Sequence, residues 1–162
     1  MAHREEAERR LCSEWMAEHY FNIPYYLNFP LGPRYVSPAR GDIDRSWRRK
    51  VDALAVKDRE IHLLEFKIWQ PLDGIDKLPV YKLLVPHTPE LEAYRTYPIR
   101  MFLITPRPTS AIRFETRLLG IELITVSGGW LDEKVRRIEW LWTKEGREEM
   151  ERRREIRKWL GV

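Results

Sequence analysis

Cys12 is the chain's single cysteine. It excludes an internal disulfide and a zinc site built on cysteine pairs, and it suits a reducing, cytoplasmic setting. Histidine is nearly as scarce. His19, His62 and His87 are scattered, which gives no support to a histidine metal cluster or a histidine-based triad. There is no glycine-rich phosphate loop; Gly128-Gly129 is an isolated pair that reads as a turn. No apolar run approaches the roughly 20 residues needed to span a bilayer. The first residues, Met1 to Glu6, are polar and lead into no apolar signal segment. No membrane partner is expected.

The 162 residues are 43% hydrophobic and 33% charged, which suits a globular domain with a real core. The net charge of +4 permits a polyanionic partner without demanding one. Lys134 to Val162 carry ten Lys or Arg against six Glu, a surplus as large as that of the whole chain.

Residues 4–21 are predicted helical, with Ala7, Leu11 and Trp15 on one face. Pro24, Pro30, Pro33 and Pro38 should break the next stretch into turns, with a short strand around Tyr35-Val36. Residues 50–57 and 60–68 are predicted to be two strands joined at Asp58-Arg59. A helix is expected over 72–85, with Asp73 as N-cap candidate and Pro79 either kinking it or starting its main part. Strands follow at 99–105 and 121–126, with a helix between them over 110–119, capped at Ser110 and stopped at Gly120. From Leu131 the chain should be helical. The hairpin strands are apolar on both faces, as in a sheet covered by helices on both sides. The expectation is an α/β domain with a central mixed sheet flanked by helices over residues 1–130 and a helical extension over 131–162.

The informative feature is where polar residues interrupt the hairpin. A symmetric turn at Asp58-Arg59 pairs Lys57 with Glu60 and sets Asp52 opposite Glu65, with Cβ atoms roughly 4.5–5.5 Å apart. Lys67, two residues on, emerges on the same face. Carboxylates that close repel each other, and burial among strands adds to the cost. A lysine and a hard divalent cation, magnesium or manganese, would offset it. An odd loop length would instead put Asp52 and Glu65 on opposite faces. The competing reading is a structural ion pair at the frayed end of the hairpin.

The acidic residue near the start of one strand (Val51-Asp52) and Glu65-Phe66-Lys67 ending the next, with a helix on either side, resemble the PD-(D/E)XK, restriction-endonuclease-like nuclease superfamily. The resemblance covers roughly residues 4–126 and includes its αβββαβ order. It implies metal-dependent hydrolysis of nucleic-acid phosphodiester bonds, DNA ahead of RNA, by Mg2+ or Mn2+. Asp52 and Glu65 would be metal ligands, the backbone carbonyl of Phe66 a third, and Lys67 the catalytic lysine. One departure is Val51, where such proteins often carry proline. Some members add a first-helix glutamate, for which Glu14 is preferred over Glu18; the alternative is an ordinary solvated acid. Others use residues of the helix after the motif, where Lys77 and Tyr81 share a face; solvent exposure and plain packing are the alternatives. Arg152 and Arg153 in the basic tail are candidates for phosphate contact, against a salt-bridged surface helix or a dimer contact. A homodimer is one working form the resemblance suggests. A nuclease-fold protein that binds nucleic acid or assembles without turnover is the alternative function.

Overall fold

A computed structural model describes residues 2–34, 36–37, 41–42 and 48–160. The chain forms two compact units, 1–126 and 127–162. In the first, helix α1 (Ala2–His19) precedes strand β1 (Tyr25–Leu31), a short ribbon of β2 (Val36–Ser37) and β3 (Gly41–Asp42), and strands β4 (Arg49–Lys57) and β5 (Glu60–Phe66). Helix α2 (Pro71–Leu84), two 3-10 turns, β6 (Ile99–Thr105), helix α3 (Ser110–Leu118) and β7 (Ile121–Thr125) complete it.

Five strands form one sheet in the order β1-β4-β5-β6-β7. β1, β4 and β5 are antiparallel, while β5, β6 and β7 run parallel, so the sheet is mixed. The order α1-β1-β4-β5-α2-β6 is the αβββαβ order expected from the sequence, with the short β2-β3 ribbon inserted and α3 and β7 added.

The hairpin turn holds the predicted register. Asp58 and Arg59 both take positive φ (51° and 62°), the conformation of a two-residue turn that matches strand twist. Lys57 therefore pairs with Glu60, and the ladder runs in step to Ala53 and Leu64. Every residue of β5 from Ile61 to Phe66 is buried. On one side Leu54, Leu63 and Leu103 meet Ile75 and Leu78 of α2. On the other, Trp15 of α1 meets the Phe66 ring edge-on at 5.7 Å, and Tyr20 Oη lies 2.6 Å from His62 Nδ1, tying the end of α1 to the sheet.

Pro24 follows a turn and Pro33 a bend at Gly32, but Pro30 lies within β1, because β1 is an edge strand where a residue with no N–H to give is tolerated. Of the strand expected around Tyr35-Val36, Tyr35 lies outside the described residues, as does Pro38; Val36–Ser37 pairs with Gly41–Asp42. Asp73 is not the N-cap of α2. Pro71, with φ preset for a first turn, starts the helix earlier, and Gln70 stands at the cap. The helix continues through Pro79. Thr109, not Ser110, caps α3, its Oγ1 accepting from Ile112 N at 3.3 Å; Gly120, at φ 66°, ends it.

The second unit is a pair of helices, α4 (Gly129–Trp142) and α5 (Lys144–Leu160). Thr143 sits between them, and its Oγ1 accepts from Gly146 N at 3.1 Å, capping α5.

Arg48, just before β4, is buried and forms a fork with Glu90, Nη1 to Oε1 and Nη2 to Oε2, both at 2.8 Å; Nη2 also donates to the Pro30 carbonyl. The fork ties the second 3-10 turn (Pro89–Tyr94) to the sheet edge. Hydrogen bonds from Arg48 hold the Glu90 carboxyl down at about 2. A depressed folded-state value stabilises the fold above the ordinary carboxylate range, and that contribution is lost as pH falls toward 2. Glu90→Gln is therefore expected to lower the urea midpoint at neutral pH and to flatten its decline between pH 4.5 and 2. A wild-type midpoint and acid slope in the variant would contradict this role.

Candidate active site

The β4–β5 ladder stops at Ala53 and Leu64, one position short of Asp52 and Glu65. There the side chains take over the backbone bonding. Asp52 N donates to Glu65 Oε1 at 3.3 Å, and Phe66 N donates to Asp52 Oδ2 at 2.9 Å. Each acid is thus oriented by the opposite strand. Lys67 is anchored to β6, its N donating to the Ile104 carbonyl. Its Nζ lies 3.3 Å from Glu65 Oε2, 3.6 Å from Asp52 Oδ2 and 3.7 Å from Glu8 Oε2. The three residues singled out in the hairpin do converge.

The first-helix glutamate in the cluster is Glu8. Its Oε1 accepts from Ile68 N at 2.9 Å, just past the end of β5. Glu14 does not reach the cluster: it is exposed and paired with Arg10 one turn away at 2.7 Å, and Glu18 is exposed as well. The physical reason is helix phase. Glu8 lies four residues before Cys12 and seven before Trp15, on the stripe that α1 buries, whereas Glu14 borders that stripe from outside. That spacing was a usable signal.

The remaining candidates have these partners. Lys77 pairs with Asp73 within α2 at 2.6 Å. Tyr81 is buried and donates its hydroxyl to the Lys50 carbonyl at 2.8 Å, tethering α2 to β4 two residues before Asp52. Arg152 and Arg153 both pair with Glu149 on α5, in the unit 127–162. Phe66 sits between the ligand candidate and the lysine, its ring fully buried.

Glu65 is the electrostatic centre. Only 1% of its side chain is exposed. Burial first, and the Asp52 charge second, push its carboxyl upward from the ordinary carboxylate range against the pull of Lys67 and Lys77. Its Oε2 is buried without a hydrogen bond; Lys67 Nζ is within ion-pair reach, but the approach falls short of hydrogen-bond geometry. Burial works against the Lys67 charge as well, yet Glu65, Asp52 and Glu8 together outweigh it and hold the ammonium above its ordinary value. Cys12, whose Sγ donates to the Asp52 carbonyl at 3.8 Å, is pushed up to about 12 by burial and the nearby carboxylates. A thiol so held is inert as a nucleophile.

The cluster opens onto a cleft of about 260 Å³ lined by Glu8, Arg9, Cys12, Asn28, Asp52 and Lys67. Asp52 is 29% exposed and supplies the accessible oxygens. Among the described residues no three acidic, histidine or cysteine side chains form a ready metal cage. Two hard carboxylates side by side, Asp52 lining the cleft and Glu65 with one buried oxygen that lacks a hydrogen bond, fit a magnesium-type ion, which is held by one or two carboxylates and keeps several waters.

α2 lies against this cluster because residue 74 is glycine. A Cβ there would come 2.8 Å from Leu103 Cδ1, 3.2 Å from Lys67 Cγ and 3.5 Å from Glu65 Cβ. The chain matches no protein-family model and no curated protein. Among solved structures, a repair endonuclease from Pyrococcus abyssi is similar with a TM-score of 0.44 at 20% sequence identity, over 76% of this chain and 47% of that one. The chain thus spans about half the length of that protein. No helix among the described residues is long and apolar enough to cross a membrane.

Gly74→Ala is expected to destabilise the protein. The gain in helix propensity is about 1 kcal/mol, whereas overpacking a core costs roughly 1–3 kcal/mol; Leu103, fully buried, has little room to move. Urea unfolding checks this, and an equal or raised midpoint for the variant would rule out the close approach.

Proposed function

We propose that the chain is a metal-dependent nuclease of the PD-(D/E)XK type that hydrolyses phosphodiester bonds in nucleic acid, DNA ahead of RNA. The observation that carries this reading is the convergence of Asp52, buried Glu65 and Lys67, with one Glu65 oxygen lacking a hydrogen bond and a cleft lined by Asp52 and Lys67. Mg2+ or Mn2+ would be held by Asp52, Glu65 and the Phe66 carbonyl, with Glu8 at its edge. A bound ion of this kind lowers the pKa of its water and neutralises charge on a phosphate.

The chain's own residues supply the rest. Asp52 and Glu65 are held by opposite strands, so their oxygens are set before substrate arrives. Lys67 keeps its proton, since three carboxylates surround it. It therefore acts as a donor, aligning the attacking water or a non-bridging phosphate oxygen, and not as a base. Water adds to phosphorus in line and the bond from phosphorus to the 3′ oxygen breaks, leaving a 5′-phosphate and a 3′-hydroxyl.

One observation favours a second reading, a nuclease-fold protein that binds nucleic acid or assembles without turnover. Lys67 already sits among three carboxylates as a structural counter-ion would. Cleavage separates the two. Supercoiled plasmid, linear duplex, single-stranded DNA and RNA are incubated with Mg2+, Mn2+ or EDTA. The expected result is cutting that needs the metal and falls on the order of 10²-fold or more in Lys67→Ala and Asp52→Ala. Uncut substrates throughout, or full activity in both variants, would sink the nuclease reading and leave the binding protein.

A further inference from the structure

Asn28 takes a backbone conformation that the sheet does not require. It lies within β1 at φ 52°, in the left-handed region. On either side of it the strands stay in one register, Leu27 with Ala53 and Phe29 with Val51. No residue is inserted, so neither a bulge nor a turn calls for the positive φ. The position facing Asn28 across the ladder is Asp52. Residues held in such regions persist where the surroundings over-determine them, and they cluster at ligand sites. Asparagine bears the conformation better than most residues but still at a cost.

The Asn28 side chain is exposed, lines the cleft in front of Asp52 and Lys67, and makes no hydrogen bond among the described residues. Arg9, the residue after Glu8 on α1, lines the same cleft. It is exposed and makes no ion pair among the described residues, although Glu5 and Glu8 line the cleft with it. A guanidinium and a carboxamide, carried by two different elements, are therefore uncommitted at the rim of an acidic cluster.

We infer that Arg9 and Asn28 are substrate-positioning residues that hold the sugar–phosphate backbone beside Asp52 and Lys67. This rests on the nuclease reading above. A cleft lined by Glu5, Glu8 and Asp52 repels a phosphodiester, so donors are needed where the backbone enters. Arg9 can give two parallel N–H bonds to phosphate oxygens. Asn28, which lines the cleft, can donate to a phosphate oxygen or accept from a pentose hydroxyl. Contacts of this type fix register on the nucleic acid and carry no base preference.

Two variants test this, with labelled duplex DNA, single-stranded DNA and RNA in Ca2+ and cleavage kinetics in Mg2+. Arg9→Gln is expected to weaken binding roughly tenfold, by the same factor on unrelated sequences, and to lower the salt slope of log Kd by about 1. Asn28→Gly frees the backbone, since glycine accepts positive φ, and removes only the amide. It should raise KM about fivefold, the worth of one hydrogen bond, with kcat little changed and thermal stability equal or higher. A purely structural asparagine would leave KM unmoved. If wild type cuts and both variants keep its KM, affinity and salt slope, the inference falls while the nuclease reading stands. If wild type neither binds nor cuts any of the three nucleic acids, both fall together.

Discussion

Glu65 is a carboxylate with 1% of its side chain exposed, in a strand whose other residues from Ile61 to Phe66 are also buried. Charge in such a place is costly unless it is paired and hydrogen-bonded. The architecture around it supplies that compensation. Lys67 turns back along the same face to meet it, the Asp52 backbone donates to it, and Glu8 reaches in from α1 to share the lysine. Gly74 leaves the room in which α2 lies over the pair, and Tyr81 ties that helix to β4 near Asp52. Four separate elements are thus committed to one buried charge. A core built for stability alone would place an apolar side chain there.

The cost is placed where the sheet can bear it. The ladder of β4 and β5 is regular from the turn to Ala53 and Leu64 and gives way only at the last step, where side chains replace ladder bonds. The opposite end of the same sheet closes with a neutral contact, Tyr20 against His62, and with exposed ion pairs of Arg100 to Glu60 and Glu122. At the other end Asp52 and Lys67 line a cleft. The left-handed Asn28 of the edge strand lies at the same end as Asp52.

The hairpin was legible in the amino acids because its rules are local. Strand side chains alternate with period two, and a two-residue turn at Asp58-Arg59 leaves the register symmetric, so Asp52, Glu65 and Lys67 had to share a face. The helix of α1, the apolar strand at Ile99–Thr105 and the stop at Gly120 follow from equally short-range patterns. Caps were less legible. Asp73 and Ser110 have the chemistry of N-caps, but Pro71 and Thr109, next to them, start the helices instead. Pro30 suggested a turn because local propensity carries no knowledge of a sheet edge, where one side of the strand has no ladder to complete.

What lies at long range depended on packing. Glu8 meets Ile68 from 60 residues away; helix phase sets Glu8 rather than Glu14 on the buried stripe, and where along its length α1 crosses the end of β5 brings Glu8 to the cluster. The same holds for Arg48 with Glu90 and for Tyr81 with Lys50. A chain's pattern of apolar and charged residues dictates which face each element buries, since that face follows from helical and strand periods. It does not dictate which turn of a helix stands over which end of a strand. That offset emerges when side chains such as Trp15 and Phe66 interlock and a glycine such as Gly74 lets a backbone approach.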